Sequence, residues 1–244
     1  MRGPAGIMAT STLIPMDDSG LYRLMAWLSP AFPVGGFSYS HGLEAAVEAG
    51  AVTDRASLQT YVATVLRHGA GRADGMLFAA TWRAVDAGDE EGFLWAAERA
   101  AAMRGSTELA LECLSQGAAF IAALRAGWPD VSLAPWLDRL ERAGCRPAYP
   151  VAVALAAAVA SVPLQPALLA YLQAFAAGIV SAGVKLIPLG QSDGQRAVAA
   201  LEGPVQEAAH SAISTPLEDL GSAAPMIDLW SMQHENQYTR LFRS

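Results

Sequence analysis

The sequence predicts an all-α protein, one domain of about ten helices. Three observations carry that reading. Apolar residues recur with the helical period along most of the chain, no run alternates with period two for long enough to make a strand, and turn signals recur at intervals of roughly 15–20 residues. The 244 residues show no composition break that would divide them into two domains, and no fixed-period repeat that would make a solenoid.

Each element follows from its residues. Between Asp54 and Ala70, Leu58, Tyr61, Val62, Val65 and Leu66 fall on one helical face, with Thr53 or Asp54 as N-cap and Gly69 or Gly71 as stop. Asp89 to Arg104 turns Phe93, Leu94 and Ala97 one way and carries Asp89, Glu90 and Glu91 at its start, where the helix dipole favours acids. Ser106 opens a helix running through Leu109, Leu114, Phe120 and Leu124 to Gly127, and Ser132 is placed to cap Leu133–Ala143. Residues 147–184 contain no Asp, Glu, Lys, Arg or His. Pro163 and Pro166 divide this stretch into Ala148–Ser161 and Ala167–Val184, the second stopping near Ile187-Pro188. The first piece is shorter than the roughly 20 apolar residues a span needs, and the second carries Gln173, Ser181 and two glycines. A buried central hairpin is therefore expected, with a membrane hairpin as the competing reading. Residues 1–19, interrupted by Pro4 and Pro15 and without the long apolar core of a signal peptide, are expected to be a disordered tail ahead of a helical domain over 20–224.

Composition narrows the function. The hydrophobic fraction is 53%, much of it alanine, and charged residues make up only 16%, so either apolar surface is left for a partner or a second copy, or alanine-rich helices raise the hydropathy without forming such a patch. A net charge of −7 argues against nucleic-acid binding. Cys113 and Cys145 stand far apart outside any C-x-x-C pair and read as reduced core thiols of a cytoplasmic protein. There is no phosphate-binding G-x-x-x-x-G-K-[ST], no G-x-G-x-x-G, no H-E-x-x-H and no G-x-S-x-G. None of His41, His68, His210 and His234 has a partner at i, i+4 in a metal pattern, and the adjacent His234 and Glu235 do not share a helix face. No catalytic, cofactor or metal residue is assigned.

Three segments differ from the alanine-rich background. Trp27 to Glu44, W-L-S-P-A-F-P-V-G-G-F-S-Y-S-H-G-L-E, reads as a fixed loop into a helix start. Phe32 and Phe37 are its candidate anchors and Ser38 its candidate cap, and Ser38, Tyr39, His41 and Glu44 are either parts of a structural turn or partner contacts. In K-L-I-P-L-G-Q-S-D-G-Q-R, Lys185 is the sole lysine of the chain. Ser192 or Asp193 is placed to cap the next helix. Gln191, Asp193, Gln195 and Arg196 are either a polar seam or ordinary capping and surface residues. The third segment, 225–244, ends H-E-N-Q-Y-T-R-L-F-R-S and joins Tyr238, Leu241 and Phe242 to Arg240 and Arg243, the residue types that dominate binding hot spots. It is either docked on its own domain or kept for a partner.

These three segments, in this order and spacing, resemble the hallmark segments of the urease accessory protein F (UreF) family, over roughly Leu21 to Ser244. The resemblance implies an all-helical homodimer without turnover of its own. It implies binding to the D-type (also H-type) accessory protein, recruitment and regulation of the G-type GTPase, and help with nickel insertion into apo-urease, with nickel and GTP held by the partners and no part for nucleic acid or membrane. On this resemblance the C-terminal segment with Tyr238, Arg240 and Arg243 orders on the D-type partner, and Ser38, Tyr39, His41, Glu44, Lys185, Asp193 and Arg196 are interface candidates. Two departures stand out: Cys145-Arg-Pro-Ala-Tyr-Pro lacks the histidine many relatives carry before the Pro-Val, and Gly36 is often alanine. The alternative is a helical enzyme using His41, Glu44, Lys185 and Asp193 as acid–base groups.

Overall fold

The computed structural model describes residues 16–244. Twelve α-helices, two more than expected, and three single 3-10 turns make up the regular structure of the described residues, and no strand is among them. In chain order these are α1 (Asp18–Trp27), α2 (Leu43–Glu48), α3 (Arg55–His68), α4 (Ala70–Ala87), α5 (Glu90–Ala102) and α6 (Thr107–Gly127). They are followed by α7 (Ala134–Arg142), α8 (Tyr149–Val159), α9 (Leu164–Leu186), α10 (Gln191–Ala200), α11 (Glu202–Ser214) and α12 (Pro225–His234).

Capping chemistry sets most starts. The Asp17 carboxylate accepts from Gly20 N at 2.6 Å, so α1 begins at Asp18, inside the stretch expected as tail; residues 1–15 lie outside the described residues. Asp54 and Ser57 form a reciprocal capping box on α3, and the bonds from Ser57 hold the Asp54 carboxyl below its ordinary range. Ser106 caps α6 as its sequence position predicts, and Asp89, expected within the first turn of α5, is its N-cap. Two expected caps are corrected. Asp130, not Ser132, caps a 3-10 turn that runs directly into α7, so Ser132 lies within that turn. Gly190 is the N-cap of α10, which places Ser192 and Asp193 in its first turn, where the Asp193 carboxylate still gains from the dipole.

The centre is α8, whose residues Pro150 to Ala158 are all buried. It packs against α4 and α6, and α9 lies beside it. The uncharged stretch is thus a hairpin at the core. Two helices, α6 and α9, are long and apolar enough to cross a membrane, but about half of each apolar window is buried inside the fold, which is how core helices behave. On α9 the buried residues Leu168, Tyr171, Leu172, Ala176, Ile179, Val180 and Gly183 trace one face. Small residues let the helices close up: a Cβ on Gly75 would lie 2.9 Å from Ala212, and one on Gly183 2.6 Å from Leu58. Gly117 of α6 meets the backbone of Pro147, Ala148 and Tyr149 where α8 begins.

Cys113 is buried and Cys145 half-buried, and both are free thiols. Burial pushes the Cys113 thiol up to about 12, so it stays protonated.

Gly117→Ala should lower stability by about 2–3 kcal/mol, because backbone rather than a movable side chain blocks the added methyl. Gly178→Ala, mid-α9 with open space at its Cβ, should leave stability unchanged or raise it by about 0.5–1 kcal/mol. Urea unfolding midpoints of the two variants check the contrast.

Candidate functional site: a C-terminal clasp on buried glutamates

The candidate site forms where α2, α6 and the C-terminal segment meet. Phe32 anchors the 28–42 loop, its ring 5.2 Å from Phe120 and 5.9 Å from Trp128. Phe37, the other expected anchor, is 77% exposed and holds nothing, because the 3-10 turn Gly36–Ser38 points it outward. Ser38 does not cap α2. That helix starts at Leu43, after two left-handed residues, His41 at φ 58° and Gly42 at φ 75°. Gly42 is needed twice, for its positive φ and because a Cβ there would lie 3.1 Å from Ser231 N. The Tyr61 hydroxyl donates to the His41 carbonyl at 2.8 Å and holds the strained residue in place.

This turn aims Glu44 inward. On α6, Glu108, Glu112 and Gln116 follow one another at i, i+4, i+8 along one buried face. Between the helices lies the fully buried His234 imidazole, Nδ1 2.6 Å from Glu108 Oε2 and Nε2 3.0 Å from Glu44 Oε2. A carboxylate oxygen thus meets each ring nitrogen of His234. The chain end then closes over the cluster. Leu241 N and Phe242 N donate to the two Glu44 oxygens at 2.7 and 2.9 Å. Arg240 Nη1 donates to Glu108 Oε1 at 2.7 Å, and Ser244 Oγ to Glu112 Oε2 at 2.7 Å. Ser40 N donates to the Ser244 carbonyl at 2.7 Å, and the Ser40 hydroxyl donates to the same oxygen. Arg243 N donates to the Ser38 carbonyl at 2.8 Å. Glu235 accepts from Thr107 N at 2.8 Å and so satisfies the start of α6.

His41 is buried beside this cluster. Its Nδ1 is 3.7 Å from Glu112 Oε2, beyond a hydrogen bond, and neither ring nitrogen has a partner. Phe175 meets the ring edge-on at 5.1 Å. On one side of His41 a cavity of about 390 Å³ is lined by Phe32, Glu112, Gln116, Tyr149, Lys185 and Phe242. A second, of about 240 Å³, includes Arg104 and Asp228. Desolvation raises the Asp228 carboxyl, against the opposing pull of His41. Arg104 also makes a buried pair with Asp74 at 2.8 Å, and Tyr171 donates to the other Asp74 oxygen at 3.3 Å. Burial alone would lower the Arg104 guanidinium, but the Asp74 carboxylate outweighs it and leaves it raised.

The fold thus gathers Ser38, Tyr39, His41, Glu44, Arg240 and Arg243 around one clasp. Lys185 joins through its ammonium, 5.4 Å over the Phe242 ring. Gln191, Asp193, Gln195 and Arg196 stay apart on α10, which packs on α3, α9 and α11; there Asp193 pairs with Arg196 at 2.9 Å and Arg55 at 3.8 Å. Tyr238 is fully exposed. The segment 225–244, which its residues left either docked or kept for a partner and which the resemblance expected to order on one, is docked on its own domain here, with Ile227, His234 and Phe242 buried. The sequence reading missed Glu108, Glu112 and His234. The available signal was three polar residues at i, i+4, i+8 in an otherwise apolar helix. Among the described residues no three His, Cys, Asp or Glu side chains form a metal cage in this conformation.

His234→Ala should cost about 3–5 kcal/mol by urea unfolding, since it strands two buried carboxylates, and should speed tryptic cleavage after Arg240. His234→Gln, which replaces two ring nitrogens by one amide nitrogen, should fall between.

The comparisons with known proteins agree with one another. The family model described as UreF matches residues 52–202. The chain is 53% identical over 227 residues to a urease accessory protein UreF of Granulibacter bethesdensis, covering 93% of this chain and 95% of that protein. It is 51% identical over 228 residues to one of Rhodopseudomonas palustris, with 93% and 95% covered, and 49% identical over 234 residues to one of Bradyrhizobium diazoefficiens, with 95% of each covered. The chain belongs to the UreF family.

Proposed function

We propose that this chain is a cytoplasmic accessory protein of urease maturation. In this reading it is a non-catalytic scaffold that binds the D-type accessory protein, recruits and regulates the G-type GTPase, and assists nickel insertion into apo-urease, acting as a homodimer. Family membership supports the role in maturation, and the relatives are named accessory proteins. Membership in a family of accessory proteins rather than catalysts also sets aside the helical enzyme built on His41, Glu44 and Lys185. The chemistry of those residues agrees: Glu44 spends both oxygens on the clasp, and Lys185 faces an aromatic ring. GTP and resident nickel belong to the partners in this reading.

The observation that carries the docking part is the unburied apolar surface at the C-terminal end. On α12, Met226, Leu229 and Met232 are 51%, 45% and 44% exposed, and the strap beyond it, residues 235–244, turns out Tyr238 and Leu241. Methionine-rich apolar faces of this kind suit protein partners. The clasp presents the strap in one shape, so a partner need not supply the ordering entropy.

Co-expression with the cognate D-type protein should give a stable complex in size-exclusion chromatography with light scattering. Tyr238→Ala combined with Leu229→Ala, both exposed, should weaken it at least about tenfold without changing the unfolding midpoint. No complex with the unaltered chain would remove the docking reading.

A further inference from the structure

We propose that the cavity of about 240 Å³ lined by α4, the α5–α6 connection, α12 and the His41 turn binds the primary amide group of a small neutral molecule, held by Arg104 and Asp228 with His41 beside them. This binding follows from the cavity alone and stands apart from the role proposed in urease maturation.

Two side chains at this cavity are buried with polar atoms left over. Arg104 exposes 6% of its side chain. Its Nε donates to the Ala100 carbonyl at 2.9 Å and its Nη1 lies 2.8 Å from Asp74 Oδ1, but Nη2 has no acceptor. His41 is 5% exposed, and neither of its ring nitrogens has a partner. The left-handed turn and the Tyr61 hydroxyl nonetheless fix it there. Such groups forfeit bonds that they would make in water, and a ligand that supplies those bonds recovers the loss. Asp228 of α12 lines the same cavity. Its carboxylate lies against Gly105, the residue after Arg104, where the Cβ of any other residue would overlap it.

Donors and acceptors select the ligand. Arg104 Nη2 only donates, so the ligand must carry an acceptor. The Asp228 carboxylate only accepts, so the ligand must also carry an N–H or O–H. An imidazole nitrogen serves either way. A carboxylate ligand has no donor and would meet the Asp228 charge. Asp74 already matches the charge of Arg104, so a second anion has little to gain there. An ammonium has no acceptor and would leave Nη2 unpaired. An alcohol offers both functions on one oxygen. A primary amide spreads a carbonyl acceptor and two N–H donors over neighbouring atoms, without net charge, and so suits groups held on separate elements. Beside the polar groups, Ala70, Ala73 and Leu109 give the cavity apolar wall for a short alkyl substituent. The volume leaves room for one, since a water takes only about 30 Å³.

The test uses the full-length chain with acetamide as probe and acetate and methylammonium as controls of similar size, read by saturation-transfer NMR on the ligand methyl group. Acetamide should give a saturable signal with a Kd of about 1–10 mM, and neither control should. Propanamide, with one more CH₂ to bury, should bind about threefold tighter. Arg104→Lys keeps a charge for Asp74 but loses Nη2, and should weaken acetamide at least about tenfold. Asp228→Asn, at a half-buried position where folding is not at stake, removes the charge that rejects anions. It should bring acetate to within about threefold of acetamide. The proposal is overturned if acetamide gives no saturable signal, which would leave water as the cavity's occupant, or if acetate binds the unaltered chain as well as acetamide does. It is equally overturned if Asp228→Asn leaves the preference for acetamide over acetate unchanged, or if Arg104→Lys binds acetamide as the unaltered chain does.

Discussion

The buried imidazole of His234 is the constraint on which the C-terminal half of the site depends. It lies between Glu44 and Glu108, on helices far apart in the chain, and it alone gives both carboxylates a common partner. With His234 in place Glu44 keeps its two oxygens oriented for Leu241 N and Phe242 N, and Glu108 keeps its second oxygen for Arg240. Neighbouring Glu235 then falls where it satisfies the first amides of α6. One residue thus fixes where α12 ends and where the strap begins. A buried ion cluster stabilises little more than well-packed apolar side chains would. What it adds is orientation: each oxygen accepts from a particular donor, so the strap has one register.

The core works by the opposite principle. α8 itself carries no charge, and packing in the core rests on alanine, valine and close approach at Gly75, Gly117 and Gly183. Such contacts are short-ranged and tolerate no added volume. The rigid hairpin supplies a fixed wall, and the polar clasp is mounted against it through Phe175 and Lys185 of α9. Between wall and clasp lies the cavity with Glu112 and Lys185, and His41 also adjoins a second one with Arg104 and Asp228.

Most of the helices were legible in the sequence because their signals are local. Asp54, Asp89 and Ser106 cap where a side-chain acceptor precedes an apolar period. The all-helical class and the buried hairpin followed from the same periodicity. Ser132 and Asp193 misled because a nearby residue, Asp130 or Gly190, took the cap first. The whole of α4 was hidden by its opening Ala-Gly-Arg-Ala-Asp-Gly, which reads as a stop after α3 but continues as helix after the single non-helical Gly69. The site was half legible. The unusual loop and terminus drew notice by composition, whereas Glu108 and Glu112 carry only the fainter signal of a polar row with Gln116 on an apolar helix. His234, the partner of Glu108 and Glu44, was set aside because its sequence neighbour points the other way. No local period reveals a contact between residues 190 positions apart.

The structure also divides residues that the sequence segments group together. Within the first segment Phe32, His41 and Glu44 turn inward, and Phe37 turns out. Within the last, His234 and Phe242 are buried while Tyr238 and Leu241 are exposed. In the middle segment Lys185 reaches the strap, but Gln195 and Arg196 face solvent on α10. Inward residues lose most of their binding energy to the fold itself, since each hydrogen bond they make is already spent within the chain. Outward apolar residues have gained nothing from folding and still have their full surface to bury. A partner therefore finds its gain on the outward set, and the inward set decides whether that surface is presented in a single shape. Charge at the clasp and apolar area outside it are two separate levers on one assembly, and a substitution in either segment acts through one or the other according to the face it occupies.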